Sequence, residues 1–416
     1  MPSSYKRLGD YIQPVAGRNK DLSNLPLVGL SITKKFIPSI ANTIGTDMST
    51  YRVIERNQFA YGPVTSRNGD KITIALFNDY DKALISQAYI PFEVKDKNEL
   101  YPEYLMMWFR RPEFDRYARF KSHGSAREIF DWNEMCEVEL PIPSIEKQQE
   151  IVREYNTIQN RIALNNQLIS KLEETVQAIY KQWFVDFEFP DEKGKPYKSN
   201  SGKMVWCEEF EKEIPEGWKV SKLGKEYELT IGRTPPRIER KWFNQNENSI
   251  NWISIKDLAS CQTYIFDTNE NLTLEAVKKF SIPIIKENTT IMSFKMSIGK
   301  LAITTKEMLS NEAIVHFNRN DKTKLSSEFI YCFLNQFKFN ILGSTSSIVE
   351  SINTQIIKNI DFLIPIDSTL KTFDKIITPL FQNKKNIELQ SQRLEELKDL
   401  LLAKMTRVKS ETHILN

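Results

Sequence analysis

The 416-residue chain is poor in the residues on which most catalytic chemistry leans: three His, four Cys and 14 Gly. Glycine is thus about 3% of the chain against a usual ~7%, which leaves little material for phosphate-cradling loops. Cys136, Cys207, Cys261 and Cys332 are far apart in sequence, so no CxxC pair offers a zinc or dithiol site. Four cysteines in so long a chain fit a reducing compartment. Met1–Tyr11 has no apolar stretch of the signal-peptide kind. No run of about 18 apolar residues predicts a membrane span. These absences point to a soluble cytoplasmic protein. The GxxxxGK[ST] phosphate loop is missing, which argues against NTP use. Thr234-Pro235-Pro236-Arg237 is the only Pro-Pro, and it lacks the preceding Asn or Asp and the following aromatic of a base-modifying methyltransferase loop. The net charge is only +3, so binding to a polyanion has to come from local patches.

What is present is core-forming material and a repeat. Hydrophobic residues make up 40% and charged residues 27%, the composition of a folded chain, and roughly 150 residues per domain gives a prior of two or three domains. Leu8-Gly9 and Gly17-Arg18 recur as Leu223-Gly224 and Gly232-Arg233 at an offset of 215. Ile142-Pro143 and Leu172-Glu173-Glu174 recur as Ile364-Pro365 and Leu394-Glu395-Glu396 at 222. Tyr104-Leu105 and Trp108-Phe109 align with Phe329-Ile330 and Phe333-Leu334 at 225. Matches that keep their order under a drifting offset describe one unit used twice, with insertions in its middle.

Each unit has a mixed part followed by a long helical part. Lys71–Leu76 in the first, and Thr290–Phe294 and Leu301–Thr304 in the second, are rich in β-branched and aromatic residues and predict strands. Amphipathic helices are predicted over about Pro102 to Tyr117 and Ser327 to Phe339. The helical parts carry a heptad seam. Ile151, Tyr155, Ile158, Ile162, Asn165, Ile169, Leu172, Val176, Ile179 and Trp183 alternate spacings of four and three. Phe373, Ile377, Leu380, Ile387, Leu394, Leu401 and Met405 continue the same phase, interrupted by Lys384, Ser391 and Lys398. Pro143-Ser144 supplies a cap before the first helix. Two helices related by a pseudo-twofold axis run antiparallel. If the seam is centred, facing positions add up to 556, and Asn165 meets Ser391 in one polar layer that fixes register. The alternative is two separate dimerising coiled coils. The hydrophilic stretch Asp186–Glu213 predicts an extended surface crossing between the units.

No catalytic constellation emerges. His123, His316 and His413 have no Ser, Cys or metal partner in sequence and are expected to be structural or solvent-facing. Asp81 with Glu93-Val94-Lys95 loosely imitates a Mg²⁺ nuclease pattern of a kind that chance supplies among 54 acidic residues. Basic clusters stand out more. Arg110, Arg111, Arg116, Arg119, Lys121 and Arg127 form one; Lys219, Lys222, Lys225, Arg233, Arg237, Arg240 and Lys241 form the other. Each could be an ordinary solvated face. One cluster per unit suggests two DNA half-sites, because such clusters neutralise phosphates.

Three motifs then carry a resemblance. Pro141-Ile142-Pro143-Ser144-Ile145-Glu146-Lys147-Gln148-Gln149-Glu150-Ile151 resembles the start of the central helix in type I restriction-modification specificity subunits. Ala178-Ile179-Tyr180-Lys181-Gln182-Trp183-Phe184-Val185-Asp186-Phe187 resembles its end. Ile214-Pro215-Glu216-Gly217-Trp218, followed by Leu223-Gly224, resembles the opening of their target recognition domains. The first unit lacks that opening, and the second helix start, Ile364-Pro365-Ile366-Asp367, lacks the paired Gln. The resemblance implies an α+β chain: two pseudo-twofold-related α/β target recognition domains separated by two long antiparallel coiled-coil helices. The expected parts are target recognition domain 1 (1–145), a central helix (146–185), a connector (186–213), target recognition domain 2 (214–367), a C-terminal helix (368–407) and a tail (408–416).

The resemblance also implies that each domain reads half of a bipartite DNA site and that the helix pair sets the spacing. Two modification subunits would carry S-adenosylmethionine and methylate adenine. Restriction subunits would add ATP- and Mg-dependent cleavage, and this chain would hold no cofactor and do no chemistry. Loops between strands are where such contacts are expected. In the first domain these are Tyr61, Thr65, Ser66, Arg67 and Asn68, then Arg119, Lys121, His123, Ser125 and Arg127. In the second they are Arg233, Thr234 and Arg237, then Lys295, Ser297 and Lys300, then Ser344, Thr345 and Ser346. Tyr180, Phe184, Val185 and Phe187, off the seam at the helix end, either pack on the adjacent domain or offer an apolar patch to a modification subunit. The competing readings are a stand-alone Mg-dependent nuclease, which would cut DNA unaided, and a duplicated DNA-binding repressor, which would bind its site without any partner.

Overall fold

The computed structural model describes residues 5–41, 44–66, 68–124, 127–243, 249–295, 297–320, 323–339 and 352–407. The chain divides into two compact units, residues 1–162 with 393–416, and residues 163–392. Each takes one mixed part and a portion of both long helices, which span Ile145–Tyr180 and Asp367–Lys404.

In the first unit Ile12–Pro14, Ile90–Val94, Phe59–Tyr61 and Ile74–Leu76 form an antiparallel sheet in that order. A second sheet has the order Phe36–Pro38, Leu27–Leu30, Lys82–Ile85 and Arg52–Glu55, with its two middle strands parallel. The second unit repeats the plan. Glu228–Ile231, Ile314–Asn318, Thr290–Ser293 and Leu301–Thr304 form the same antiparallel order, extended by Tyr264–Ile265. Its smaller sheet again places one strand, Ser249–Ile253, between an antiparallel neighbour, Glu270–Thr273, and a parallel one, Leu309–Ser310. The duplication seen as scattered sequence matches is therefore a duplicated topology.

The mixed part of each unit is closed by an antiparallel pair of its first and last strands. These are Tyr5–Arg7 with Glu139–Pro141, and Lys219–Lys222 with Asp361–Ile364. The repeated Leu-Gly follows the first strand of each pair. Leu8 and Leu223 are fully buried, and their amides donate to the carbonyls of Val138 and Ile360. A Cβ on Gly9 would lie 2.8 Å from Cys136 Cβ, and one on Gly224 would lie 2.9 Å from Lys358 Cβ. Both neighbours end a short helix, Trp132–Cys136 or Thr354–Lys358. Close backbone approach to that helix explains why glycine recurs here.

Burial of one face drives each core. Phe59, Phe92, Tyr104, Leu105 and Phe109 belong to the core that joins the first sheet to the helix Pro102–Arg110. The predicted single helix to Tyr117 is two helices, Pro102–Arg110 and Pro112–Phe120. Arg111 is extended between them (ψ 137°), since a residue before proline is pushed out of the helical region. In the second unit the helix Ser327–Gln336 contributes Phe329, Ile330, Cys332 and Leu334 to the corresponding core.

The two helices lie antiparallel within the second unit. Asn165 Nδ2 meets Ser391 Oγ at 3.1 Å, Glu173 pairs with Lys384, and the rings of Tyr180 and Phe373 are 6.2 Å apart. As one number rises the other falls, as the seam arithmetic requires. Lys384, which interrupts the apolar seam, is fully buried, and its ammonium is neutralised by Glu173 and lies 5.2 Å from the Phe381 ring. Glu388, also buried, accepts hydrogen bonds from the amides of Tyr264 (2.8 Å) and Thr263 (3.2 Å). Its carboxyl is raised by burial, against the pull of those amides and Lys384. The C-terminal helix thereby holds the edge of the five-stranded sheet.

The helix starts are also accounted for. The Lys147 amide donates to Ser144 Oγ at 3.4 Å. Gln148 is fully buried, with its amide donating to the carbonyls of Glu99 and Pro143 and accepting from the Tyr101 amide at 2.8 Å. This places the Gln of the first helix start in a structural role. The connector differs from the expected extended crossing: Met204–Cys207 and Lys212–Pro215 form an antiparallel hairpin. Phe189 stacks between Tyr197 (4.5 Å) and Trp218 (5.3 Å). Phe187 and Phe189 are turned inward, which outweighs the hydrophilic average, while Trp206 stays exposed.

Candidate nucleic-acid interface

In the first unit the loop from Gly62 to Thr73 joins the antiparallel strands Phe59–Tyr61 and Ile74–Leu76. The segment 121–130 folds against it. Thr65 Oγ1 donates to Ser122 Oγ at 2.9 Å, the Thr65 amide donates to the Glu128 carbonyl at 3.0 Å, and the Phe130 amide donates to the Pro63 carbonyl at 2.9 Å. His123 and Ile129 exchange backbone hydrogen bonds around a turn at Gly124, where φ is +136° and a Cβ would lie 2.2 Å from the Arg127 carbonyl oxygen. The two loops singled out in sequence thus form one surface, on which Ser66, His123, Gly124 and Arg127 are exposed. Asn68 is half-buried, with its amide on the Val64 carbonyl at 3.1 Å. Arg67 and Ser125 lie outside the described residues.

Two expected contacts are corrected. Tyr61 is fully buried, edge-on to Phe92 and Phe130, and burial pushes its hydroxyl up. Thr65 is 2% exposed and spends its hydroxyl on Ser122. The strand Phe59–Tyr61 is buried along its whole length, which encloses the first, and the tie between the loops consumes the second. Neither can touch a ligand on this surface. The expected basic residues carry acidic partners: Arg119 pairs with Glu128, and Lys121 with Glu134 at 3.2 Å. Arg111 is 4% exposed and lies 4.2 Å over the Trp108 ring, so it belongs to the interior.

In the second unit Gly232 lets the chain turn past Ser310; a Cβ there would lie 1.9 Å from the Ser310 carbonyl oxygen. The turn sets out Arg233, Thr234 and Arg237. Arg233 donates to the Phe280 carbonyl at 2.9 Å, and Thr234 donates to the Glu312 carboxylate. Arg237 binds Glu270 at 2.6 Å and lies 4.6 Å from the Phe243 ring and 4.8 Å from the Trp252 ring. The loop Ser293–Lys300 crosses between two antiparallel strands through a turn at Gly299 (φ +84°). It leaves Ser297 and Lys300 exposed, with Lys295 half-buried and 5.4 Å over the Phe294 ring. Glu312 links the two groups. Burial raises its carboxyl, but the Thr234 hydroxyl and the charges of Lys295 and Arg237 hold it below the usual range.

The Ile352 amide donates to the Phe294 carbonyl at 3.1 Å, as that of Phe130 does to Pro63. Ser344, Thr345 and Ser346 lie outside the described residues. Sequence reasoning missed Glu128, Glu134, Glu270 and Glu312, and no local signal marks them, because the fold brings each to its partner: Arg119, Lys121, Arg237 and the Thr234 hydroxyl.

The residues assigned to a partner patch are mostly interior. Tyr180, Phe184 and Phe187 are 3–6% exposed. Phe184 lies 4.7 Å from Phe373 and 5.0 Å from Phe329, and Phe187 lies 5.5 Å from Trp218. A π-helical turn, Lys181–Val185, rotates these rings onto the core, and Val185 stays exposed at 45%. Of the two alternatives, packing is what the structure contains for the three aromatic residues. Asp81 pairs with Arg56 beside the second sheet, whereas Lys95 donates to the Gly9 and Asp10 carbonyls beside the first. The nuclease-like pattern is not assembled. Among the described residues no three His, Cys, Asp or Glu side chains gather to hold a metal, and no helix is long and apolar enough to cross a membrane.

A duplicated α+β module with exposed polar loops, joined to paired long helices, defines a class of two-site binding proteins. The chain belongs to the type I restriction modification DNA specificity domain family, which matches residues 4–174 and again 215–399. It is similar to the type I restriction enzyme HindI specificity subunit of Haemophilus influenzae, 23% identical over 96% of this chain and 97% of that one. It is also similar to the MjaIX specificity subunit of Methanocaldococcus jannaschii, 26% identical over 74% of this chain and 69% of the relative. In fold it is similar to the S subunit of the type I restriction-modification system from M. genitalium, with a TM-score of 0.55 and 12% identity over 97% of this chain and 95% of that one. Specificity subunits are the non-catalytic members of their complexes, and this chain carries two copies of their specificity domain.

Proposed function

We propose that each unit binds one half of an asymmetric, bipartite double-stranded DNA site and that the paired helices set the separation between the halves. The observation that carries this reading is the duplication, which appears in the sequence offsets, the strand orders and the Leu-Gly contacts. One chain then offers two loop surfaces of the same plan but different residues. The first surface carries Ser66, Asn68, His123 and Arg127; the second carries Arg233, Arg237, Ser297 and Lys300. Polar and cationic side chains of this kind position phosphates and read base edges.

The chemistry belongs to partners. Two modification subunits carry S-adenosylmethionine and methylate adenine; restriction subunits add ATP- and Mg-dependent cleavage in the cytoplasm. Mapping methylated adenines genome-wide, in cells with and without this chain, tests the reading. Loss of methylation at one bipartite motif is expected. An unchanged methylation map would overturn it.

A further inference from the structure

Each basic cluster contains one large apolar side chain that no core claims. Phe120 ends the helix Pro112–Phe120 with 81% exposure, and Ile238 stands 96% exposed between Arg237 and Arg240. Ile40 and Ile44 are comparably exposed, but neither has a Lys or Arg within four residues. Phe120 is the more informative. Its helix neighbours Phe114 and Tyr117 meet Phe130 edge-on in the interior, while Phe120 faces away. Its position is fixed from behind: Ser122 Oγ donates to the Ala118 carbonyl at 2.7 Å and accepts from Thr65. The helix end and the loop surface are thereby one rigid piece. Around the ring, Lys71, Arg116 and Arg119 line a shallow cleft together with Asp70 and Asp115. Arg116 and Arg119 are held by Glu113 and Glu128, whereas Lys71 makes no ion pair among the described residues.

We infer that Phe120 is a wedge that stacks on a base step of double-stranded DNA when the first unit engages its half-site. This rests on the reading that the unit binds DNA. Apolar side chains inserted between base pairs, with cations beside them on the backbone, are a recurrent way to hold a deformed duplex. A phenyl ring suits any base, because every base presents a π face. Lys71, which makes no ion pair among the described residues, supplies a phosphate contact beside the inserted ring.

The test uses the full chain assembled with its modification subunits and duplexes of the site found by methylation mapping, each with 2-aminopurine at one position of the first half-site. The assembled wild type should brighten one position. Phe120→Ala should abolish that signal and weaken binding about tenfold, without changing the slope of affinity against salt, since no charge is removed. Phe120→Trp should restore both. The melting temperature of Phe120→Ala should match the wild type, because the ring is exposed. Unchanged affinity and fluorescence in Phe120→Ala would overturn the wedge. So would normal DNA binding with impaired assembly, which would make the ring a protein contact. A wild-type complex that cannot tell the target from a scrambled duplex overturns the DNA reading itself, and the wedge with it.

Discussion

The Asn165 carboxamide donates to Ser391 Oγ at 3.1 Å, across 226 residues of chain. It also reaches Gln390 Oε1 at 3.0 Å, and Asn165 is 2% exposed. A polar layer inside an apolar seam is satisfied in one register only. Sliding either helix by a turn strands a buried amide, whose desolvation costs about 1–3 kcal/mol. The layer therefore specifies alignment more than it adds stability.

Asn165→Ala should destabilise the chain by about 1–2 kcal/mol in urea unfolding. The cycle with Ser391→Ala should show a coupling of about 0.5–1.5 kcal/mol. Strict additivity would mean that the contact has no energetic role.

Lys384 should be the least replaceable residue of the C-terminal helix. Lys384→Met leaves Glu173, which is 27% exposed, facing an apolar seam. A loss of roughly 3 kcal/mol is expected, the low end for breaking a buried pair because Glu173 keeps some solvent. Combining it with Glu173→Leu should recover most of the loss, since a matched apolar pair needs no desolvated charge. Chemical denaturation of the single and double variants checks both.

Gly9→Ala and Gly224→Ala should each cost about 1–3 kcal/mol, because the new methyl overlaps a packed helix. Gly232→Ala should cost more. Its obstacle is a backbone carbonyl 1.9 Å away, that of Ser310, and the turn at Gly232 is what sets out Arg233 and Thr234. Thermal melts of the three variants, ranked against one another, test the ordering.

His316 predicts acid sensitivity. Burial holds its imidazole near 3, between Thr230 at 2.9 Å and Ser310 at 2.6 Å. The folded value lies below the ordinary 6.5, so the unfolded chain binds the proton more readily. The contribution of this group is present above about pH 6.5 and is lost as pH falls toward 3, at about 1.4 kcal/mol per pH unit. Stability curves of wild type and His316→Gln should diverge in that window and run parallel above it.

Arg127→Ala and Lys300→Ala should weaken target and scrambled DNA by similar factors, and each should lower the salt slope by about one if it holds a phosphate. Tyr61→Phe should leave binding unchanged, since its hydroxyl is buried and makes no hydrogen bond among the described residues. Electrophoretic mobility shifts over a salt series separate these outcomes. A Tyr61→Phe complex with relaxed sequence preference would contradict the interior assignment.

The fold was legible in sequence wherever a local period or a close contact imposes it. The seam from Ile151 to Trp183 follows from helix geometry alone, and the Leu-Gly pairs survive in both halves because a methyl does not fit against Cys136 or Lys358. The site was legible only as loops. Tyr61 and Thr65 sit in polar-looking stretches, yet a strand covered on both faces and the pairing with Ser122 bury them. For Tyr180, Phe184 and Phe187 the sequence left packing and an open patch as alternatives, and the contacts with Phe373 and Trp218 decide for packing.

By itself, the sequence determined that one unit is used twice and that each copy ends in a seamed helix, and on a centred antiparallel seam it put Asn165 opposite Ser391. Each of these depends on spacing along the chain, which translation into a regular helix preserves. Only the tertiary structure decided which cations stay available. Glu128 and Glu134, from the segment that follows the helix Pro112–Phe120, neutralise Arg119 and Lys121, and Glu270 and Glu312 arrive from farther along the chain to fix Arg237 and to hold Thr234. Charge complementarity acts through space, and no periodicity in the chain records it.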